Sequence, residues 1–402
     1  MTAQRIAIAY DCLYPYTTGG GERQYRAFAE EMARRGRQVS YLTTVQWDSG
    51  SALPRDFDVI PVTNKLRLYG PSGSRSSLAA VRYAAGLFRA LRRKSDAFDG
   101  IIVSGLPVLN VFAARAALLG KRKPIAVDYL EVWTKRQWVA YSGRVGGRVA
   151  WLLQRAALRL TPAATCHSKL SAARLRSEGY RGPILVSAGL ISDDAEALPP
   201  QPESPPGDYV LYAGRHIDDK QVEQIPPAVA LARKRVPALR LVITGDGPAN
   251  TRVREAVEQA DGKAWTTLPG FVPQDELNSL LSGALCLLNP SRREGYGLVV
   301  VEAARWGTPT ILADAPDNAS VELIDDGTNG FIAPSADPRE LADAIVKVHA
   351  AGHGLRRRTR EWYSEAVRTR TIGRTVENLL HALDNAHERS QQHRSTAKKG
   401  HS

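Results

Sequence analysis

GALCLLNPSRREGYGLVVVEAARWG, residues 283–307, runs from a short apolar segment through a glycine-containing loop into a second apolar run. This order predicts a strand, a loop and a helix that begins near Leu298, which is one repeat of a doubly wound α/β sheet. Ligands of such sheets bind beyond the carboxyl ends of the strands, where residues 291–297 lie. The stretch therefore predicts the fold class and a place for a binding site.

The same alternation of strands and helices continues along the rest of the chain. Apolar runs in the first half predict buried strands, and helical patterns lie between them at residues 22–35 and 76–94. After residues 192–208, which are rich in proline and acidic residues, the alternation begins again with YVLYAG and RLVITGDGP. The sequence thus predicts two doubly wound domains joined by a linker.

Five segments follow from these patterns. We expect a Rossmann-like domain over residues 1–191, a linker over 192–208 and a second domain over 209–354. A long, charged helical segment follows over residues 355–386. The basic tail over residues 387–402 has no apolar residues that a core would need, and we expect it to be disordered.

The composition is that of a globular protein with an uneven distribution of charge. The 402 residues have a net charge of +13, which divides into +14 over residues 1–200 and −1 over residues 201–402. A basic first half favours an anionic partner. The three cysteines are widely separated, which indicates a reducing compartment. The start does not resemble a secretory signal, and glycine, proline and arginine interrupt the apolar stretch 101–120, so we expect a cytoplasmic protein that does not span a membrane.

Two glutamates flank the loop and the start of the predicted helix. Between Glu294 and Glu302 the sequence places Gly295, Tyr296, Gly297 and Leu298. A helix N-terminus with glycines suits a phosphate, whereas carboxylates accept hydrogen bonds from vicinal hydroxyls. A molecule with one diol on each side of a diphosphate is a nucleoside-diphosphate sugar. Its ribose would lie at Glu302 and its hexose at Glu294. The alternative is a surface loop with incidental acidic residues.

A second loop in the same half supplies cations. Arg215 and Lys220 follow the strand YVLYAG, and a guanidinium fork with an ammonium group suits a diphosphate. Solvated loop charges are the alternative. Residues beyond two further strands suit the wall of a nucleobase pocket, although ordinary turns have the same composition: Gly245, Asp246, Phe271 and Val272.

The first half has candidate binding residues of its own. Gly19, Gly20 and Gly21 lie between the first strand and the first helix, where they would let a ligand approach the backbone. A flexible turn is the alternative. Asp128 and Glu131 follow a buried strand among aromatic side chains, a combination that suits either sugar recognition or a packed loop. Arginines recur on one face of two predicted helices, which suits either an anionic membrane or a solvated surface.

These motifs resemble those of the retaining GT-B glycosyltransferases of family 4, the glycosyl transferases group 1 family. Glu294 and Glu302 match its E-x7-E motif, and Arg215 and Lys220 match its diphosphate-binding pair. The segment GGGER is similar to its N-terminal glycine loop. The resemblance implies an α/β fold of two Rossmann-like, doubly wound domains that face each other across a cleft. It also implies that the C-terminal helical segment crosses back to the first domain.

The resemblance implies a function as well. The donor, a nucleoside-diphosphate sugar, would lie on the second domain, and the acceptor would lie on the first. Arg215, Lys220 and the helix start would stabilise the leaving diphosphate without a metal ion or other cofactor, and Glu294 would position the hexose. We expect transfer with retention of configuration to a lipid-linked or polysaccharide acceptor of the cell envelope. The enzyme would be cytoplasmic, and its basic half suits peripheral contact with the inner face of the membrane.

Two alternative functions are compatible with the sequence. Leu130 stands where related enzymes often carry a histidine, so a sugar-nucleotide-binding protein with impaired catalysis is one of them. The other is a nucleic-acid-binding protein, which the positive net charge alone would suggest. The sequence has no RRM, KH or helix-turn-helix signature, and we therefore expect no nucleic-acid partner.

Overall fold

The computed structural model describes residues 4–17, 19–48, 50–68, 75–121, 123–187, 189, 191 and 207–384. Two compact units divide the chain: unit 1 consists of residues 1–70, 74–192 and 370–402, and unit 2 consists of residues 71–73 and 193–369. Most of the predicted linker and all of the predicted basic tail lie outside the described residues. Within the described ranges, no helix combines the length and the apolar character that a membrane crossing requires.

A parallel sheet of seven strands forms the centre of unit 1. Its strands are β1 (Arg5–Ala9), β2 (Gln38–Thr44), β3 (Asp58–Thr63), β4 (Gly100–Ser104), β5 (Ile125–Tyr129), β6 (Ala163–Cys166) and β7 (Ile184–Val186). Their order is β3-β2-β1-β4-β5-β6-β7, which is the doubly wound order. Every residue of β4, β5 and β6 is buried, as expected for strands that helices cover on both faces.

Helices connect these strands and supply the other half of the core. They are α1 (Gly20–Arg34), α2 (Ser77–Arg93), α3 (Leu109–Ala117), α4 (Lys135–Leu160) and α5 (Lys169–Ser177). The side chains of Tyr83, Leu87 and Leu91 recur at helical spacing along α2 and pack into one apolar cluster with Ile101 and Val103 of β4. The alternation of strand and helix that the sequence predicts is thus present in unit 1.

Unit 2 repeats this architecture with a parallel sheet of six strands. Its order is β10-β9-β8-β11-β13-β15, where the strands are β8 (Tyr209–Ala213), β9 (Arg240–Thr244), β10 (Thr266–Gly270), β11 (Cys286–Asn289), β13 (Thr310–Ala313) and β15 (Gly330–Ala333). A second, two-stranded parallel pair joins β12 (Arg293–Glu294) to β14 (Asp317–Asn318). The helices are α6 (Ile225–Arg233), α7 (Asn250–Gln259), α8 (Gln274–Gly283), α9 (Leu298–Arg305) and α10 (Pro338–Thr369).

The C-terminal part of the chain returns to unit 1. Helix α10 contains a break at Gly352, and all of it belongs to unit 2. Residues from Arg370 onward belong to unit 1, so the return begins later than Leu355, where the sequence places it. A helix over residues 372–384, here called the terminal helix, is held by polar contacts: the hydroxyl groups of Ser187 and Thr375 lie 2.7 Å apart.

Candidate active site

The loop after β11 leads into α9, which begins at Leu298 as the sequence predicts. Gly297 precedes the helix with φ 96° and ψ 60°, a left-handed conformation that favours glycine. A Cβ atom at this position would also lie 2.7 Å from the Cβ of Ser320. Gly297, as the N-cap residue, has no side chain that could cap the N-terminus of α9. The helix start therefore offers backbone N–H groups and the positive end of the helix dipole at the carboxyl edge of the sheet.

Glu294 and Lys220, which the sequence assigns to the hexose and to the diphosphate, form an ion pair. Glu294 belongs to β12, and Lys220 ends a short 3-10 turn over Asp218–Lys220. Both side chains are mostly shielded from solvent. The structure thus brings together a cation and a carboxylate that are 74 residues apart in the chain.

Arg215 lies in the same loop as Lys220 and is exposed. The hydroxyl group of Tyr212 donates a hydrogen bond of 3.0 Å to the Arg215 carbonyl oxygen. Burial raises the pKa of Tyr212, the charge of Glu294 raises it further, and the charge of Arg215 lowers it. Both charged groups therefore act on the same buried hydroxyl, which places Arg215 and Glu294 in one electrostatic environment.

Asp219 was not identified from the sequence, although it holds the two loops of this site together. Its carboxylate forms ion pairs with Arg292, at 3.0 Å, and with Arg293. Its carbonyl oxygen also accepts a hydrogen bond of 2.8 Å from the backbone N–H of Arg292. These contacts fix the 3-10 turn that carries Lys220 against the strand that carries Glu294.

Glu302, the second acid of the predicted pair, is the fifth residue of α9 and is partly buried. It lies roughly 6 Å along the helix axis from Leu298, at 1.5 Å per residue. Burial and the charge of Glu302 raise the pKa of Tyr363 to about 12, and the charge of Arg305 opposes this shift. Glu302 therefore lies close to α10 as well as to the start of α9.

The other predicted residues of unit 2 follow the strands β9 and β10. Gly245 has φ 111°, and a Cβ atom there would clash with the Gly214 carbonyl oxygen, so close packing of two loops requires this glycine. The carboxylate of Asp246 accepts a hydrogen bond of 2.7 Å from the N–H of Gly247. Phe271 is 71% exposed and Val272 is buried. Parallel strands end at one edge of the sheet, so these residues share that edge with Arg215, Lys220 and residues 290–297.

In unit 1 the predicted glycines surround the start of α1, which begins at Gly20 with Gly19 as its N-cap. A Cβ atom on Gly21 would lie 2.7 Å from the Tyr10 hydroxyl and 2.9 Å from a methyl group of Leu130. A larger residue at position 21 would therefore displace the ends of the Tyr10 and Leu130 side chains. Leu130 packs against the glycine loop, at the position where the sequence raised the question of a missing histidine.

The predicted position of Asp128 after its strand is wrong. Asp128 is the fourth residue of β5 and is fully buried. Its carboxylate accepts hydrogen bonds from Tyr25, at 2.9 Å, and from Thr165, at 2.5 Å, and it lies 3.0 Å from His167 Nε2. With these partners, the carboxylate organises the interior of unit 1 and does not present itself to a sugar. Glu131, the neighbouring acid, accepts a hydrogen bond of 2.7 Å from the indole N–H of Trp133.

His167 is the counterpart of Asp128 and was also missed at the sequence level. Its Nδ1 lies 3.0 Å from the Ser187 carbonyl oxygen, and its Nε2 lies 3.0 Å from the Asp128 carboxylate and 2.7 Å from the side-chain amide nitrogen of Gln24. Burial lowers the pKa of His167, but the adjacent Asp128 and the Ser187 carbonyl raise it more, and the net result is a raised pKa. A protonated His167 can donate from Nδ1 to the Ser187 carbonyl oxygen and from Nε2 to the Asp128 carboxylate.

No group of three or more His, Cys, Asp or Glu side chains in the described part of the chain is arranged to hold a metal ion.

Two family models match this chain, one for each half. The model described as "Glycosyl transferase 4-like domain" matches residues 19–187, and the model described as "Glycosyl transferases group 1" matches residues 194–365. Together they extend over both sets of candidate residues.

Curated relatives are similar over shorter stretches. An alpha-D-kanosaminyltransferase of Streptomyces kanamyceticus is 32% identical over 139 residues, which is 35% of this chain and 36% of the relative. The sulfoquinovosyl transferase SQD2 of Arabidopsis thaliana is 25% identical over 391 residues, which is 92% of this chain and 70% of the relative. The match thus spans about a third of the length of the first of these relatives.

Solved structures share the fold at low sequence identity. The Anabaena protein Alr3699/HepE in complex with UDP and glucose superposes with a TM-score of 0.72 at 16% identity, covering 95% of this chain and 99% of that chain. WaaG, a glycosyltransferase involved in lipopolysaccharide biosynthesis, gives a TM-score of 0.69 at 18% identity, covering 94% and 99%. Both similarities extend over the two Rossmann-like sheets.

Proposed function

Because the chain belongs to the glycosyl transferases group 1 family and has the two Rossmann-like sheets of GT-B glycosyltransferases, we propose that it transfers a hexose from a nucleoside-diphosphate sugar. The proposed acceptor is a lipid-linked sugar or a growing polysaccharide, and the proposed outcome is retention of configuration at the anomeric carbon. Relatives named for colanic acid and lipopolysaccharide biosynthesis support a cell-envelope acceptor.

The observation that carries this proposal is the ion pair between Lys220 and Glu294 beside the start of α9. A bound donor would separate this ion pair, with its diphosphate at Lys220 and its hexose at Glu294. Its diphosphate would bind Lys220, Arg215 and the N–H groups at Gly297 and Leu298, and its hexose hydroxyls would donate hydrogen bonds to Glu294. The cation and the acid that neutralise each other in the free protein would then each face a part of one molecule.

The chemistry of this proposal is electrostatic. The bond between the anomeric carbon and the diphosphate oxygen breaks, and negative charge accumulates on the leaving diphosphate. Lys220 and Arg215 stabilise that charge, so the proposal needs no metal ion. The acceptor hydroxyl forms the new bond on the same face of the sugar and passes its proton to the departing phosphate oxygen. This route needs no protein base, which matters because Leu130 supplies none.

The remaining donor contacts are assigned by their places along the same sheet edge. Glu302 would accept hydrogen bonds from the ribose hydroxyls, and Gly295 and Tyr296 would line the diphosphate. Gly245, Asp246, Phe271 and Val272 would wall the nucleobase, where the exposed ring of Phe271 offers a stacking surface. The acceptor would lie on unit 1 near Gly19, Gly20 and Gly21. We assign no acceptor contact to Asp128.

The second candidate function is a sugar-nucleotide-binding protein with impaired catalysis. The contact between Leu130 and the glycine loop favours it, because an apolar side chain occupies the place at which a polar group would contact a sugar. The two candidates share the donor site and differ only in turnover. Nucleic-acid binding is not proposed.

The proposed setting is cytoplasmic, with peripheral contact to the inner face of an anionic membrane. The three cysteines are buried and are not joined in disulfides within the described residues, which suits a reducing compartment. The basic first half suits attraction to acidic lipids.

A panel of UDP-, GDP- and ADP-hexoses tests the proposed activity. The protein is incubated with each donor with and without lipid-linked and polysaccharide acceptors, and release of nucleoside diphosphate is measured. We expect acceptor-dependent release with one class of donor, and NMR of the product should show the anomeric configuration of the donor. Inversion would refute the proposed stereochemistry. Binding of a nucleoside diphosphate without turnover would instead favour the impaired protein.

Two variants separate donor binding from background effects. Glu302→Ala should weaken nucleoside-diphosphate binding by about tenfold or more, because hydrogen bonds to a charged group are among the stronger ones. Glu255→Ala is the matched control, since Glu255 is exposed on α7, away from the sheet edge. Equal affinity of the two variants would remove Glu302 from the ribose site.

A further inference from the structure

The long helix α4 of unit 1 is two helical segments joined at Gly143, which has φ 74°. A Cβ atom on Gly147 would clash with the backbone of Trp138 and Val139. The short segment over residues 135–142 therefore folds back and packs directly on the segment over residues 144–160. All residues from 140 to 146, which form the tip of this hairpin, are exposed.

One side of the second segment is apolar and yet faces solvent. Val145, Val149 and Leu152 are 77%, 52% and 57% exposed, and Leu153 and Leu160 are also exposed. With 3.6 residues per turn, these side chains occupy one stripe about 100° wide. The core side of the helix is a different face, formed by Gly147, Gln154, Ala157 and Leu158. An exposed stripe of this size on an otherwise well-packed helix indicates a binding surface.

Arginines form a second stripe directly beside the apolar one. At 100° per residue, Arg144, Arg148, Arg155 and Arg159 fall within an arc of about 60°, next to Leu152. Residues 132–177 contain nine Lys and Arg residues and no Asp or Glu, and the acids that bound this segment are Glu131 and Glu178. Glu178 accepts a hydrogen bond of 2.6 Å from the indole N–H of Trp151 on α4, so cations outnumber this one carboxylate. The helix thus presents parallel cationic and apolar stripes.

A pocket at the C-terminal end of α4 has the same cationic character. It has a volume of about 430 Å³, and its lining includes Arg155, Arg159 and Arg181 together with Gly179 and Tyr180. Within the described residues, Nε of Arg155 is buried and has no hydrogen-bond acceptor. A buried guanidinium donor without an acceptor favours an anion in this pocket.

We propose that the second segment of α4 is a membrane-docking helix that lies flat on an anionic phospholipid bilayer, with lipid phosphates bound along the arginine stripe and in the Arg155–Arg159–Arg181 pocket. In a bilayer interface, acyl chains and phosphates lie side by side, and this arrangement is complementary to the two stripes. The inference gives a surface to the proposed membrane contact and rests on that part of the proposed function alone. It does not depend on the transfer reaction.

Vesicle co-sedimentation of the full chain tests the proposal. Phosphatidylcholine vesicles with and without phosphatidylglycerol are compared at low and high salt. We expect binding only to the anionic vesicles and a loss of binding as salt rises. The double variant Val149→Glu, Leu152→Glu should bind about tenfold more weakly or worse, because it removes apolar area and adds repulsion. Arg144→Glu with Arg148→Glu should have a similar effect.

Two controls match these changes. Arg254→Glu with Lys347→Glu alters the net charge equally in exposed positions of unit 2, and Leu119→Glu alters an exposed leucine of unit 1 outside α4. Both should bind as the wild type does. Arg159→Gln with Arg181→Gln should reduce the preference for anionic over neutral vesicles, which tests the pocket separately.

Several outcomes would overturn the proposal: no binding of the wild type at low salt, equal binding to neutral vesicles, or undiminished binding of the α4 variants. Light scattering should show the same mass for the wild type and for Val149→Glu, Leu152→Glu. A dimer that this variant dissociates would identify a second copy of the chain as the occupant instead. Nucleoside-diphosphate release measured without vesicles should be unchanged in the α4 variants, so a failed transfer assay and a failed docking assay are distinguishable.

Discussion

Lys220 and Glu294 form an ion pair that joins the loop after β8 to the strand β12. Glu294→Gln keeps the size of the side chain and removes its charge. We expect kcat for hexose transfer to fall about 100-fold or more, because the hexose is no longer positioned against a charged acceptor, while nucleoside-diphosphate affinity changes little. Steady-state kinetics with calorimetric binding measures both quantities. The exposed Glu255→Gln is the control, and a large loss of affinity with unchanged kcat would contradict the assigned role.

Asp219 holds the loop after β8 against β12 through its ion pairs with Arg292 and Arg293. Asp219→Asn should raise KM for the donor by about tenfold, because the loop that carries Lys220 loses its anchor, and Asp219→Glu should restore part of the affinity. Asp218→Asn is a matched control, since the neighbouring Asp218 forms only an exposed pair with Arg252 among the described residues. If both asparagine variants behave alike, Asp219 has no positioning role.

Gly297 has a left-handed backbone conformation, and a Cβ atom at this position would lie 2.7 Å from the Cβ of Ser320. Gly297→Ala should destabilise unit 2 by about 2–3 kcal/mol, from backbone strain and from displacement of the contact. Gly327→Ala supplies the comparison, because Gly327 has φ 76°, but no atom of the described residues lies within 4 Å of the place that a Cβ would take. That variant should lose only the strain, about 1 kcal/mol. Urea unfolding followed for both proteins would measure the difference, and equal losses would argue against the contact.

His167 gives unit 1 a dependence on pH. A histidine with a raised folded pKa stabilises the fold fully below the unfolded value near 6.5, and this stabilisation is lost as pH rises through the folded pKa. The loss is about 1.4 kcal/mol for each unit by which the folded pKa exceeds the unfolded one. Thermal melts from acidic to alkaline pH should show it in the wild type and not in His167→Gln. The exposed His353→Gln should melt like the wild type at every pH, and a pH-independent wild type would contradict the charged state of His167.

Local patterns were sufficient to predict which loops of unit 2 meet at the carboxyl edge of its sheet. The strand, the loop and the helix start at Leu298 are encoded within 25 residues, and parallel strands bring their carboxyl ends to one edge whatever lies between them. Arg215, Lys220 and Glu294 could therefore be assigned to one site before their contacts were known. The direct ion pair between Lys220 and Glu294 was not predicted and is known only from the structure.

Residues whose role depends on distant partners could not be identified in this way. Asp128 is enclosed by Tyr25 of α1 and by Thr165 and His167 at the end of β6, and no pattern around position 128 indicates these partners. The anchor at Asp219 likewise depends on Arg292, which lies 73 residues away. Sequence periodicity reports which face of an element is apolar, whereas these roles follow from tertiary contacts.

The return of the chain to unit 1 at Arg370 has a consequence for biosynthesis. A ribosome makes the first seven strands early, but the hydrogen bonds of Thr375 with Ser187 and Gly189, which follow β7, form only after all of unit 2 has been translated. Unit 1 therefore lacks its terminal helix until translation is nearly complete. A nascent chain that stalls before that point exposes to chaperones and proteases the surface that the terminal helix would cover.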